Sequence, residues 1–587
     1  MSLSDAVQRV GSELAPASAG LLAILGLLYF LYERLLPQPL PGIPYDPKST
    51  RKLLGDGPDM VREVGATREI HVWLLKKVNK LQAPLCQIFV QPFSRPWVVL
   101  ADSVEAQNLL TRRPEFDRSS FDKTGLSPLD GFHSRMTMGD SWKRTRAWLQ
   151  DLLSPPFLNN TVSPAMYENS LQLVHFWETK ARLANDRPFD VNDDLDHVAL
   201  DGMLSFVFDR QFEHAALSPQ MQAVAQLDPS RVEIGRHGEA KFPTAPFNKF
   251  TASLYGTVDA VNVVTASLWP KFAKWWVRQI PRYSTSIAVR RQVIREQVQG
   301  AIRRFEATGE AKTAIEHMLA REKKAAEKQG RKPDYENQVL MDEIGGQFIA
   351  GFHTSSSTLS WIFIHLTRSP DVQAKLRHAL HTAYSAAHAE RRPPSTAELT
   401  KGRVPYLDAV LDEVLRLHAT LLSRQAITDT QLFGYRIPKG TTVFIMANGP
   451  GFHSPSLAAA AALRDASSAE PDSGWDETRD MFTFEPERWL RKKEDASTTT
   501  TTTEEDAGVE FNANAAPQAA FGMGLRGCWG RKLAYVELRM IVSLVVWHFD
   551  LLAVPPALAY PSATLSIIHR ADECYVRLRR REDVRDS

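Results

Sequence analysis

Residues 521–530 read Phe-Gly-Met-Gly-Leu-Arg-Gly-Cys-Trp-Gly, and a cysteine in that setting can do chemistry. Downstream, Leu533, Val536, Met540, Leu544 and Trp547 recur at three- and four-residue spacing, which predicts a helix with one buried face. Cys528 therefore stands at or just before a helix N-terminus, whose positive end favours thiolate over thiol. The flanking glycines let the backbone approach a flat ligand and aim amide hydrogens at the sulfur. Arg526 can neutralise an anionic group on that ligand. Gly522-x-Gly524-x-x-Gly527 in the same stretch matches a dinucleotide fingerprint. That fingerprint needs a preceding strand and a βαβ unit, and the Ala/Asn loop upstream excludes it.

Other spacings carry weaker signals one by one. Glu413 and Arg416 lie three apart on a helix whose apolar face is Leu407, Val410, Leu411, Val414 and Leu417; alone, such an ion pair is commonplace. Phe484-x-Pro486-Glu487-Arg488-Trp489 follows downstream. Trp142 and Arg146 sit one helical turn apart, so both can donate to a carboxylate on the same side.

Phe521, Gly524, Arg526, Cys528 and Gly530 match the haem-binding loop of the cytochrome P450 family, and three further motifs resemble that family in its order along the chain. The resemblance implies haem b with its iron held by Cys528, and Phe521 and Arg526 in the cofactor-binding loop. Trp142 and Arg146 resemble the family's propionate clamp. Arg424 sits where the family often places another propionate-binding arginine; a surface arginine is the ordinary alternative. Glu413, Arg416 and Arg488 resemble the buried network that braces the cysteine loop, a structural role. Ala350-Gly351-Phe352-His353-Thr354-Ser355 resembles the oxygen-activation segment, in which Gly351 permits a local opening of the helix and Thr354 offers a hydroxyl to dioxygen. The sequence departs from the family at His353, where an Asp or Glu is usual. Histidine can relay protons near neutral pH; alternatively His353 faces away and water carries the proton.

The fold implied is mainly α with small β-sheets, a cytochrome P450-like fold behind a single N-terminal transmembrane helix. The activity implied is a monooxygenase reaction, with one atom of O2 inserted into an apolar small molecule, a secondary metabolite, by hydroxylation or epoxidation. A thiolate ligand favours O–O cleavage, whereas histidine ligation suits oxygen carriage or peroxidase work. The chain has no flavin or nicotinamide module, so electrons come from an NADPH-dependent cytochrome reductase, with cytochrome b5 as a second donor. Lys143, Arg144, Arg531 and Lys532 are docking candidates. Two alternatives stay open: a haem-thiolate enzyme performing oxidative coupling, desaturation or rearrangement, and a non-catalytic haem protein that binds ligand. Family analogy places substrate contacts at Phe116 to Met138, Ala419 to Ser423 and Leu565 to Ile568.

Composition bounds these readings. The chain has 587 residues, with 43% apolar and 24% charged, which excludes a mostly disordered or polytopic membrane protein. Lysine and arginine number 70 against 68 acids, so no global basic field points to nucleic acid. Three cysteines (Cys86, Cys528 and Cys574) are too few for a disulfide framework and suit a reducing compartment. Cys86 lies in a strand pattern and reads as a small buried hydrophobe.

Leu14 to Tyr32 carries no charge and is just long enough to span a bilayer. It ends in Tyr32, Glu33 and Arg34 without a small-residue cleavage site, which favours a retained anchor over a signal peptide. Arg9 precedes it and Arg34, Lys48, Arg51 and Lys52 follow, which places the bulk of the chain in the cytosol, on the endoplasmic reticulum membrane. The expected organisation is a short lumenal segment 1–13, an anchor 14–32, a proline-rich hinge 33–47, and a catalytic domain 48–587 with insertions near 458–471 and 492–518. Six consecutive threonines, Thr498 to Thr503, mark the second insertion. Strands are expected around 86–101 and 428–446, and a long helix over Met341 to Leu366. The Leu268–Trp276 cluster mixes aromatics and cations as membrane-interface belts do, with core packing as the alternative.

Overall fold

A computed structural model of the chain describes residues 24–30, 32–91, 93–126, 129–208, 212–213, 215–267, 269–464, 475–492, 508–565 and 567–584. The expected anchor lies partly outside them, at 14–23 and 31. Residues 24–30 and 32–35 are helical and exposed, with Ile24, Leu25, Leu27, Leu28, Tyr29 and Phe30 uncovered. Among the described residues, no helix is long and apolar enough to cross a membrane.

The architecture is mainly helical, with small sheets set against a helical body. Its axis is the helix Gln338–Arg368, longer at both ends than the periodicity predicts. Asn337 caps its start, accepting the Val339 amide at 2.8 Å, and Pro370 opens the next helix just beyond its end. The central helix is buried along most of its length, and it encloses polar residues such as Asp342, Glu343, Gln347 and Ser360 together with its apolar ones, as expected of a helix surrounded by others. The helices Asn192–Val207, Lys249–Ala266, Pro281–Thr308, Pro405–Leu417 and Arg531–His548 pack on it, and most of its apolar residues join one continuous core.

The strands expected around 86–101 and the last of those around 428–446 join one five-stranded sheet, while Thr430–Leu432 and Tyr435–Ile437 pair with each other as a separate hairpin. Leu85–Ile88 pairs antiparallel with Trp97–Leu100, which runs parallel to Thr442–Ile445; Leu422–Ala426 and Phe116–Asp117 complete it, both antiparallel. β-branched Val98, Val99 and Val443 fill its buried faces. Cys86 is fully buried there, where burial pushes its thiol up to about 12. A separate hairpin, Ala563–Leu565 with His569–Ala571, touches the central helix.

The second insertion is shorter than expected. Val509–Phe511 pairs antiparallel with Leu490–Lys492, and Ala515 and Ala516 are buried with Trp489. Residues 508–518 are therefore part of the folded body, because Trp489 needs an apolar cover. Residues 493–507 and 465–474, including the threonine run, lie outside the described residues.

The network expected around Glu413 is present. Arg416 donates Nε and Nη2 to the Glu413 carboxylate at 2.9 and 2.8 Å, and Nη1 to the carbonyls of Met481 and Phe452 at 2.7 and 2.9 Å. Arg488 Nε and Trp489 Nε1 reach the same carboxylate at 2.9 and 2.8 Å. Glu413 and Arg416 have no exposed surface, so removing the anion strands two guanidinium groups in low dielectric. Glu413→Gln should lower unfolding stability by about 3–5 kcal/mol and reduce the cofactor retained on purification. Denaturant unfolding and absorbance per polypeptide check both.

Candidate active site

Cys528 stands three residues before the helix Arg531–His548, as its sequence context predicts. Its amide donates to the Phe521 carbonyl at 2.7 Å, which closes the loop on itself. Gly524 has φ 65°, and a Cβ there would lie 2.3 Å from the Leu110 carbonyl oxygen. No other residue satisfies both the backbone conformation and that approach. The thiol keeps accessible surface although protein closes around it. Burial raises its pKa; the Gly530 and Arg531 amides and the charges of Arg146 and Arg531 pull the other way. A metal cation at the sulfur would ionise it outright.

The central helix has one uncovered stretch. Ala350 is exposed in the middle of a buried stretch, and Gly351 and Thr354 are half-buried. The helix runs unbroken through Gly351, so no local opening is seen. The reason for glycine there is steric: a Cβ would lie 2.3 Å from the Met203 sulfur. Thr354 Oγ1 donates to the Ala350 carbonyl at 2.7 Å, the usual resting bond of a helical threonine. His353, the residue before Thr354, meets another helix and a strand. Its ring meets Arg570, with Nη1 2.9 Å from Nδ1, and Asp196, with Oδ1 3.5 Å from Nδ1.

Cations surround the site in excess. Arg526 is buried; its Nη2 donates to the Met136 carbonyl at 2.8 Å, and Asp117 lies 3.4 Å from Nε. Its Nε and Nη1 lack hydrogen-bond partners among the described residues. Arg424 is 3% exposed and donates Nη1 to the Ser423 carbonyl at 2.8 Å. Desolvation drives both guanidinium groups down to about 10, with neighbouring arginines contributing. Arg146 lies over the Trp142 ring, 5.5 Å from its centroid, and is lowered by burial against the pull of Glu343 and Cys528. Arg526 lies over the same ring at 5.4 Å. Trp142, Arg146, Arg526 and Cys528 thus form one group, and Arg424 joins it through Arg526. The surface alternative for Arg424 is excluded.

Two cations at this site have no spacing signal in the sequence. Arg118 donates to Asp122 at 3.3 Å and leaves Nε unpartnered, and Lys123 is lowered by burial among Arg118, Arg526, Asp117 and Asp122. A loop at 116–138 brings them in. Asp117 accepts the Met138 amide at 2.6 Å, while Glu343 on the central helix accepts the His133 amide at 2.9 Å and meets its Nδ1 at 2.8 Å. The buried donors and surplus positive charge fit a planar ligand bearing carboxylates, with its metal at the Cys528 sulfur. Phe521 is half-buried, with its ring under the Arg531 guanidinium at 5.7 Å. Lys143, Arg144, Arg531 and Lys532 are all exposed. Ser127, Pro128, Leu268 and Ser566, within three of the expected segments, lie outside the described residues.

Glu537, on the helix after Cys528, was also silent in the sequence. It is fully enclosed against Gly202 and bonded by Ser355, and burial raises its pKa to about 8.

Comparison with known proteins agrees with this geometry. The family model "Cytochrome P450" matches residues 63–451 and 480–563, and the gap contains the first expected insertion. The chain is 36% identical to "Cytochrome P450 monooxygenase xilC" of Penicillium rubens over 95% of both chains. It is 30% identical to "Cytochrome P450 monooxygenase TRI13" of Fusarium sporotrichioides, over 94% of this chain and 97% of that one. The crystal structure of a cytochrome P450DA heme domain superposes with a TM-score of 0.63 at 17% identity, covering 93% of this chain and 99% of that chain.

Glu537 gives a pH test. In the unfolded chain its carboxyl titrates near 4.5, in the fold near 8, so the native state keeps a proton that the unfolded state releases between those values. Its stabilising contribution is complete below 4.5 and is lost as pH rises toward 8, the unfolding constant growing about tenfold per pH unit. Glu537→Gln should remove that slope: the variant gains on the parent from pH 5 to 8 in urea titrations, and parallel curves would contradict the assignment.

Proposed function

The chain belongs to the cytochrome P450 family, and on that premise we propose that it inserts one atom of O2 into an apolar small molecule of fungal secondary metabolism, by hydroxylation or epoxidation. The enzyme is an oxygen-incorporating oxidoreductase of the haem-thiolate class, and its cofactor is haem. The observation that carries the finer reading is the accessible Cys528 thiol set among under-neutralised arginines, in a fold whose unbroken central helix leaves Ala350 exposed and Thr354 half-buried. When bound, haem supplies redox chemistry tuned by a thiolate that favours O–O cleavage.

Each residue then has a stated task. Cys528 ligates the iron and gives up its proton on binding. Arg526, Arg424 and Arg146 with Trp142 hold the haem carboxylates, and Arg118 is added to that set. Phe521 and Gly524 shape the loop. The Thr354 hydroxyl can leave the Ala350 carbonyl and donate toward the substrate side, while Gly351 keeps the helix close to Met203. His353 moves protons from solvent toward that side.

Electrons come from a membrane-bound NADPH-dependent cytochrome reductase, with cytochrome b5 as a second donor. Exposed Lys143, Arg144, Arg531 and Lys532 suit an acidic partner surface. Residues 14–32 form a single-pass anchor in the endoplasmic reticulum membrane, and the catalytic domain faces the cytosol. Exposure of Trp269, Phe272, Trp275 and Trp276 on and beside the helix Pro270–Gln279 supports contact with lipid, since core packing would have covered them.

Turnover with reductase and a fungal metabolite extract under heavy-isotope O2 tests the reaction. The expected product carries one heavy oxygen. A product that changes mass without label overturns oxygen transfer in favour of coupling, desaturation or rearrangement. Reductase-supported NADPH oxidation should also fall steeply between low and physiological salt; an unchanged rate removes the basic docking patch.

A further inference from the structure

The carboxylate expected on the central helix is missing at His353, yet one lies beside it. Asp196, on the helix Asn192–Val207, is 3% exposed and places Oδ1 3.5 Å from His353 Nδ1. Arg570, on the strand His569–Ala571, donates Nη1 and Nη2 to Asp196 at 3.0 and 2.8 Å, and Nη1 also lies 2.9 Å from His353 Nδ1 and 3.2 Å from Nε2, the nearer being the nitrogen that faces Asp196. Ser356, on the turn after His353, donates to Asp196 as well. Asp193 lies in the same field, and the Tyr255 hydroxyl from Lys249–Ala266 is buried there without a hydrogen-bond partner among the described residues.

Two elementary facts set what this cluster can do. A guanidinium only donates, so the nitrogen it meets must be unprotonated and the imidazole neutral. A carboxylate only accepts, so once that nitrogen gains a proton its natural partner becomes Asp196. Arg570 and Asp196 therefore compete for one nitrogen, and the winner depends on the charge of the ring.

We propose that Asp196 is the carboxylate that sets the charge state of His353, with Arg570 opposing it, so that an acid supplied by a neighbouring helix replaces the one absent from the central helix. The inference rests on the reading of His353 as a proton carrier. In each cycle His353 takes one proton from water at Nδ1, is held as imidazolium by Asp196, and releases one proton from Nε2 to water on the Thr354 side; the Nδ1–H tautomer so formed then returns to the Nε2–H form, losing the Nδ1 proton and regaining one at Nε2 by exchange with water or by a ring flip, before Nδ1 accepts from Arg570 again. Asp196 stays ionised throughout; it is a positioning residue and carries no proton. The arrangement parallels the aspartate that orients and stabilises a catalytic imidazolium in hydrolytic triads.

The test uses the full-length haem-loaded enzyme, with haem content matched by its reduced carbon-monoxide spectrum. Deuterium exchange at the His353 ring carbon between the two nitrogens, read by mass spectrometry against pH, reports the ring's protonation directly. Asp196→Asn should move the exchange midpoint to lower pH by about one unit or more, and Arg570→Gln should move it to higher pH. The double variant, which leaves no unpaired buried charge, should fall between them. A midpoint unmoved in Asp196→Asn and in the double variant, or moved the same way by both single variants, overturns the proposal. The underlying relay is read separately: with reductase and NADPH, His353→Gln should raise the share of consumed O2 released as hydrogen peroxide, on the order of tenfold. If that share is unchanged while the midpoints shift as expected, the relay reading fails and the electrostatic assignment stands.

Discussion

Arg118, Arg424 and Arg526 lie within one another's electrostatic reach, Arg146 lies within reach of Arg526 and Lys123 beside Arg118 and Arg526, and Asp117 and Asp122 are the carboxylates set among them. Glu343 also faces Arg146, but the amide and ring of His133 already occupy it. Like charges held together in a poorly solvated interior cost free energy that only an anionic partner offsets. The loop at 116–138, the end strand Leu422–Ala426 and the cysteine loop all bring cations to this place, so their packing is favourable only when something negative completes it. Haem with its two carboxylates is such a partner, and Cys528, the accessible cysteine, would hold its iron.

The rest of the fold holds that arrangement at fixed distances. Glu413 binds two guanidinium groups and an indole with no exposed surface, and so ties the helix Pro405–Leu417 to the segment that leads into the cysteine loop. Gly524 lets that loop touch the backbone at Leu110. Gly351 does the same service for Met203, which makes its presence a matter of helix contact and leaves the helix intact. Glu537 shows the other side of tight packing: a carboxyl closed in between helices stays protonated.

Much of this was legible from residue types, and the reason is locality. The cysteine loop, the Glu413–Arg416 spacing, the Pro486–Trp489 segment and the Trp142–Arg146 turn each lie within a few residues, where helix and turn geometry translate directly into position. The long central helix and the paired strands followed from periodicity. Arg118, Asp196 and Arg570 were not legible, because their value comes from partners hundreds of residues away. The role of His353 could be narrowed to two directions from sequence, and its neighbours Asp196 and Arg570 had no spacing signal to find them by. Residues 508–518 looked dispensable by composition, yet they cover Trp489. Apolar length argued for an anchor at 14–32, and the described part of that segment is helical and uncovered.

The account turns on carboxylates meeting buried arginines, and one comparison addresses that alone. Haem-depleted protein would be titrated with haem and with its dimethyl ester, which keeps the iron and the ring but has no negative charge. If the arginines hold carboxylates, the ester should bind weaker by at least about a hundredfold, since two charged hydrogen-bonding groups are lost. Equal affinity for the two would mean that the buried cations serve something else, and would contradict the account at its centre.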